Sequence, residues 1–318
     1  MKTLSFNCVL RVCFLCSVTG FACSEDNSFT VFAYQRDVVA DDGYVLSAFD
    51  LHLEGHSRDE EPRAWLFYLA GSEPMSVMGA TGQAADFVAR GFSVVLLQPR
   101  GVSRDGTIDE GVFRQYETRE RRVADEIAVL NDYLQDSGST PVLLVGSSQG
   151  GVVASEVAVA DSRVTHLIML GSGGGLTQAE ELSLLVEREP GYLGISGPND
   201  LQTKFDEIRA APDSDELWAG HPFRMWSSYL WFSSMDNLTS LTIPMFLVQG
   251  DADMSTPVES ARALRDEFER LGRTNLTYAE YPGLDHNYND AAGENHFIDV
   301  QGDAMEWMTM AGLLPVTP

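Results

Sequence analysis

The stretch Pro141–Ala160, PVLLVGSSQGGVVASEVAVA, constrains the fold of this chain more tightly than any other. A β-branched apolar run, Val142–Val145, passes through glycines and serines into an apolar segment long enough for a helix. That reads as a strand, a very sharp turn and a helix start. In such a turn the residues two before and two after the apex are pushed together, so side chains there would collide. Around Ser148 those residues are Gly146 and Gly150; around Ser147 they are Val145 and Gln149. The spacing G-x-S-x-G therefore puts Ser148 at the apex and makes Ser147 a neighbour. The helix that follows carries one charge, Glu156, and its N-terminus would aim free N–H groups and a positive dipole end at developing negative charge.

Strand-like and helix-like segments alternate along the rest of the chain. Extended runs fall at 30–39, 44–53, 64–69, 93–97, 141–145, 164–170, 244–249 and 275–281. Helical segments fall at 78–89, 118–134, 151–160, 258–271 and 297–311. The first two strands have no helix between them, whereas most later ones do. This predicts an α/β fold: a mostly parallel eight-stranded sheet, antiparallel at its start, with helices on both faces. One section breaks the alternation. Residues 175–241 contain no strand, far beyond the roughly 2–6 residues of an ordinary βα connection. The segment holds helical pieces and then the aromatic run ELWAGHPFRMWSSYLWFSS. It reads as a helical cap inserted over the ligand end of the sheet. Most of its aromatics should pack the cap onto the core; Trp226 and Trp231 are expected to face the substrate. The run GSGGG, Gly171–Gly175, lacks the Lys-Ser/Thr of a phosphate loop and reads as the flexible start of the cap.

A serine hydroxyl is a poor nucleophile until a base takes its proton, and that base must itself be oriented. For a serine at such a turn the partners follow in the order acid, then histidine. IPMFLVQGDADMSTP ends a strand at Gly250 with Asp251 and Asp253 just beyond, and TYAEYPGLDHNYND ends one at Tyr281 with His286 in the loop after it. All three groups then lie past the C-terminal ends of parallel strands, where open α/β sheets place their sites. Asp251 is the alternative acid. His296 opens the last helical segment and is explained by solvent or packing, and Asp285 reads as a turn residue. DADMS lacks the glycine of a calcium loop and has Arg262 at its twelfth position, so no metal is expected. Nothing in the sequence asks for a cofactor.

On these residues the chain resembles the α/β-hydrolase fold family, in element order over nearly all of its length after residue 30. In that family the acid commonly falls in G-x-x-D-x-x-x-P, which Gly250–Pro257 matches with Asp253 as the acid. The histidine commonly follows a glycine closely, as His286 follows Gly283. The resemblance implies Ser148 as nucleophile, His286 as general base and then acid, and Asp253 as the group that holds the imidazole. It also implies an oxyanion hole from the N–H of Gln149 and a second donor in FYLAGSEPMS. Relatives often have His-Gly there. This chain has Ala70-Gly71, which makes Ser72 the second donor by position, with Gly71 as the alternative. A serine nucleophile separates the chain from the epoxide hydrolases and haloalkane dehalogenases of that family, which use aspartate. The expected activity is cleavage of an ester, thioester or amide in a small-molecule or peptide substrate. A non-catalytic binding protein and an acyltransferase share the scaffold.

Charge and the N-terminal segment bear on partners and location. With 21 basic against 47 acidic residues, a net charge of −26, the chain would repel phosphate backbones, so no nucleic-acid partner is expected. MKTLSFNCVLRVCFLCSVTGFAC carries Lys2 and Arg11, an apolar stretch and no acidic residue, the pattern of a secretory signal over residues 1–22. Cys23 would then come first, with a polar tether over 23–29 before the domain at 30–318. This resembles a bacterial lipoprotein box with a lipid-bearing cysteine, although Gly20 and Phe21 depart from it. All four cysteines lie at or before Cys23, which leaves the domain no disulfide and no thiol nucleophile.

Overall fold

Eight strands from Thr30 onward form one sheet in a computed structural model that describes residues 9–11, 30–54, 61–135 and 137–315. They are β1 (Thr30–Val39), β2 (Val45–Leu53), β3 (Ala64–Leu69) and β4 (Phe92–Leu97), then β5 (Val142–Ser147), β6 (His166–Leu170), β7 (Met245–Gly250) and β8 (Leu276–Tyr281). Their spatial order is β1-β2-β4-β3-β5-β6-β7-β8. The pairs β1–β2 and β2–β4 are antiparallel and all later pairs are parallel, as the placement of helices along the sequence predicts. Residues Val9–Arg11 add a short strand antiparallel to β1, with Val9 opposite Phe32. The rest of residues 1–29, including most of the expected leader, Cys23 and the expected tether, lies outside the described residues.

The helices are α1 (Thr81–Ala89), α2 (Glu110–Tyr116), α3 (Arg119–Tyr133), α4 (Gln149–Ala160) and α5 (Gln178–Arg188). After them come α6 (Pro198–Ala210), α7 (Phe223–Tyr229), α8 (Met235–Ser240), α9 (Val258–Arg270) and α10 (Phe297–Met310). Central strands are buried on both faces, so they read as unbroken apolar runs rather than as alternations. In β5 the period of two sends Leu144 to one core, with α3, α4 and α9, and Leu143 and Val145 to the other, with α1 and α10. Among the described residues no helix is long and apolar enough to cross a membrane.

Helices α5 to α8 and a small hairpin, Leu217–Trp218 with His221–Pro222, occupy the insertion between β6 and β7. The sequence T-x-x-E starts α5 with a capping box, in which Thr177 and Glu180 satisfy each other's free N–H groups. Phe223, Trp226 and Tyr229 are buried in the same core as α3 and α4, which binds the insertion to the domain. The glycine run before α5 is not the open, flexible lead-in expected from its composition. Gly171, Gly173 and Gly174 have φ of 57°, 60° and 104°, and a Cβ at Gly173 would come within 2.5 Å of Ser260 Oγ. These glycines admit a left-handed backbone and let α9 approach closely; they are packing residues.

Candidate active site

The chain passes from β5 to α4 through a single residue, Ser148, at φ 53° and ψ −126°. An L-residue held there is strained, and the surrounding packing must enforce it. A Cβ at Gly146 would lie 2.6 Å from the Gly150 carbonyl oxygen, and one at Gly150 would fall on the carbonyl oxygen of Leu69 and 2.6 Å from that of Ala70. Both glycines of the motif are therefore required by space, one by the turn itself and one by the close approach of α4 to β3. The Ser148 N–H donates to the Leu170 carbonyl at 2.8 Å, which ties the turn to the end of β6.

Past the ends of β7 and β8 the structure joins the two other residues singled out from the sequence. His286 Nδ1 lies 2.7 Å from Asp253 Oδ2. Three further donors hold that carboxylate: Gln249 Nε2 at 2.8 Å on Oδ2, and the N–H groups of Ser255 and Thr256 at 2.7 and 2.8 Å on Oδ1. Asp253 is 2% exposed. Asp251, the alternative acid, is exposed and accepts the Gly283 N–H at 2.6 Å instead. Asp285 accepts the N–H groups of Asn287 and Asn289 at 2.9 and 2.8 Å and so shapes the turn that carries His286. Gln249 is a site residue that motif and spacing do not point to, although an amide inside the apolar strand IPMFLVQG is a visible signal. It is fully buried, donates also to the Thr256 carbonyl at 2.8 Å, and accepts the Gly173 N–H at 3.3 Å.

Ser148 and His286 line one cavity of about 970 Å³, at the upper end of ordinary ligand pockets. Trp226 lines it too, with its indole N–H donating to the Trp218 carbonyl at 2.9 Å and the two rings 4.4 Å apart. Trp231 does not line it, against expectation. It lies just past the end of α7 and turns outward onto α6, where Phe205 meets its ring edge at 6.3 Å and the Arg209 guanidinium covers it at 4.3 Å. Among the described residues no lysine or arginine lines the cavity, while Glu73 and Glu181 do. Burial pushes the Glu181 carboxyl up to about 8, so it is largely uncharged at neutral pH.

Gln149 is the first residue of α4, so its N–H has no partner within the helix. Gly71 lies against Ser148, since a Cβ there would sit 3.5 Å from Ser148 Cβ, and Ser72 lines the cavity beside it. Arg122 on α3 donates from Nη1 to Gln149 Oε1 at 2.8 Å and from Nη2 to the Ala70 carbonyl. A metal-compatible cluster lies in the loop after His286, where donor atoms of Asp290, Glu294 and His296 come within 4.8 Å of one another. Asp290 already accepts the N–H groups of Ala292 and Glu294 at 2.9 Å each, and His296 Nδ1 meets Asp299 at 3.2 Å.

Residues 60–289, most of the sheet and the whole insertion, match the family model described as serine aminopeptidase, S33. The chain belongs to this family of α/β-hydrolases. Solved structures similar to this S33-family chain include Est1E from Butyrivibrio proteoclasticus with ferulic acid bound. The two share 18% identity with a TM-score of 0.63, over 87% of this chain and 98% of that one. The DcsB complex with its substrate analogue is similar at 17% identity and a TM-score of 0.61, over 88% and 99% of the two chains. The acylaminoacyl peptidase of Pyrococcus horikoshii is similar at 14% identity and a TM-score of 0.60, over 90% of this chain but only 42% of that one. At these identities the likeness is one of fold. No curated protein matches the S33-family chain.

Proposed function

We propose that the chain is an exported serine hydrolase that cleaves an ester, thioester or amide through an acyl-enzyme on Ser148. The observation that carries this reading is the 2.7 Å bond from His286 to a buried Asp253, on the same cavity as the strained Ser148. With its N–H at Nδ1 directed to the carboxylate, the imidazole presents Nε2 as the base. His286 takes the proton from Ser148 Oγ as the oxygen attacks the substrate carbonyl carbon. The oxyanion is received by the Gln149 N–H and by a second N–H after Ala70, at Ser72 or Gly71. His286 then gives the proton to the departing alcohol, thiol or amine, and a water molecule repeats the sequence to release the acid. Asp253, held by three donors besides the imidazole, orients the ring and stabilises the imidazolium.

The test is a fluorophosphonate probe on wild type, Ser147→Ala and Ser148→Ala. Labelling of the first two and not the third is expected. A folded protein that no probe labels turns the reading towards a binding protein on the same scaffold.

The cavity also supports a substrate class. Trp226, Tyr229 and Phe232 give it aromatic walls, and among the described residues its acidic groups face no lining cation. An uncharged, apolar or aromatic acyl group fits that chemistry, in keeping with the ferulic acid held by Est1E. A p-nitrophenyl butyrate should therefore be turned over with a kcat/KM at least about ten-fold above that of the p-nitrophenyl half-ester of succinic acid, since among the described residues the lining offers no lysine or arginine to pair a buried carboxylate. Equal rates would rule this preference out. Export rests on the basic, apolar leader. Mass spectrometry of the protein from its native cell should find a chain starting at Cys23, and an intact Met1 form confined to the cytoplasm would contradict it.

A further inference from the structure

Arg122 reaches from α3 to the side chain of Gln149, next to Ser148, and to the backbone after β3, and a role for it there rests on the reading of Ser148 as the nucleophile. One acceptor, Gln149 Oε1, belongs to the residue after the nucleophile, and the other is the Ala70 carbonyl. That carbonyl forms one peptide unit with the N–H of Gly71. The described residues contain no cis peptide, so the two groups point in opposite directions across the unit. A donor that pulls on the carbonyl therefore leaves the N–H free on the far side, and it polarises that N–H towards stronger donation.

The neighbours of Arg122 are used differently. Arg119 is paired with Glu156, and Arg121 with Asp125 at 2.9 Å. Among the described residues Arg122 forms no ion pair; it hydrogen-bonds two neutral oxygens, although Glu117 and Glu126 face it across a cavity of about 50 Å³ behind the loop. A guanidinium is rigid and planar, and its two terminal nitrogens fix two acceptors at a set separation. Here those acceptors belong to Gln149 and to the Ala70–Gly71 peptide, the residues whose N–H groups form the oxyanion hole when Gly71 rather than Ser72 is the second donor. We infer that Arg122 is the positioning residue of this oxyanion hole, holding the Gln149 and Ala70–Gly71 segments at one spacing with its charge behind both.

The experiment uses wild type, Arg122→Lys and Arg122→Met with p-nitrophenyl butyrate and with an alkyl trifluoromethyl ketone, whose serine adduct carries the same oxyanion. In Arg122→Met, kcat should fall about 10²-fold, with KM changed by less than about three-fold, because only the transition state has lost support. The ketone Ki should rise by the factor by which kcat/KM falls. Arg122→Lys, which can reach one acceptor but not both, should recover part of each loss. Thermal melting reports folding. If Arg122→Met does not fold, Arg122→Lys carries the test alone, since its kcat/KM and ketone Ki must still move together. A folded variant with wild-type kcat and Ki, or one whose kcat falls while Ki stays, overturns the inference and leaves the nucleophile reading intact. A wild type that neither labels with fluorophosphonate nor turns over ester overturns both.

Discussion

Replacing Ser148 by alanine should lower kcat about 10⁶-fold, and adding His286→Ala to it should cost nothing further, because groups that act as one unit fail together. In the proposed mechanism His286 has no proton to take once the hydroxyl is gone, and the hydroxyl has no base once the imidazole is gone. Asp253→Asn should be milder and more informative, with a loss of about 10⁴-fold. An asparagine amide keeps the size of the carboxylate but can donate towards Nδ1, which would move the ring proton to the nitrogen that must act as base. The Gln249, Ser255 and Thr256 donors would still surround the side chain, so the geometry should survive while the tautomer does not. Steady-state kinetics with active-site titration would measure these variants beside wild type. A Ser148→Ala protein with even a hundredth of wild-type turnover would place the nucleophile elsewhere.

The second large effect lies in stability. Gly150→Ala should cost about 3 kcal/mol or more, at the top of the usual range for overpacking. The new methyl would fall on the Leu69 carbonyl oxygen and lie 2.6 Å from that of Ala70. Both obstacles are backbone, so no rotamer change relieves them; α4 must move away from β3. Gly82→Ala in α1 is the control, since nothing lies within 4 Å of a Cβ there. It should stabilise the protein by about 0.5 kcal/mol through the entropy of the unfolded chain. Urea unfolding of the two variants beside wild type would decide it, and equal stabilities would show that the turn between β5 and α4 tolerates a side chain.

Steric and periodic signals made much of this structure readable from residues alone. Glycines two either side of Ser148 reported a local collision, and the buried strands announced themselves as apolar runs. Chain order and strand ends led to Asp251, Asp253 and His286, and the resemblance to the family pattern G-x-x-D-x-x-x-P singled out Asp253. Contacts over long separations were not. Arg122 meets oxygens 27 and 52 residues away, and nothing in its own helix marks it out. Trp226 and Trp231 are alike as residues, and only the direction in which the chain leaves α7 sends one to the cavity and the other to α6. The glycine run failed for another reason: composition suggests freedom, whereas here each missing Cβ makes room for α9 or for the imidazole. A Cβ at Gly171 would stand 3.4 Å from the His286 ring.

Both ends of the insertion are moored to the same part of the domain. At its start, Gly175 donates to the Ser260 carbonyl on α9 at 3.1 Å, and at its end Arg273, just past α9, donates to the carbonyls of Thr239 and Leu241. The insertion is thus held at both ends through α9 and in its middle through α7, whose Phe223, Trp226 and Tyr229 are buried with α3 and α4. A graft that keeps residues 171–176, 239–241 and the buried face of α7 would exchange other walls of the cavity while Ser148, Asp253 and His286 stay in register. The freedom to reshape the cavity therefore lies in α5, α6 and the loops between them, away from the seams on α9 and on α3 and α4.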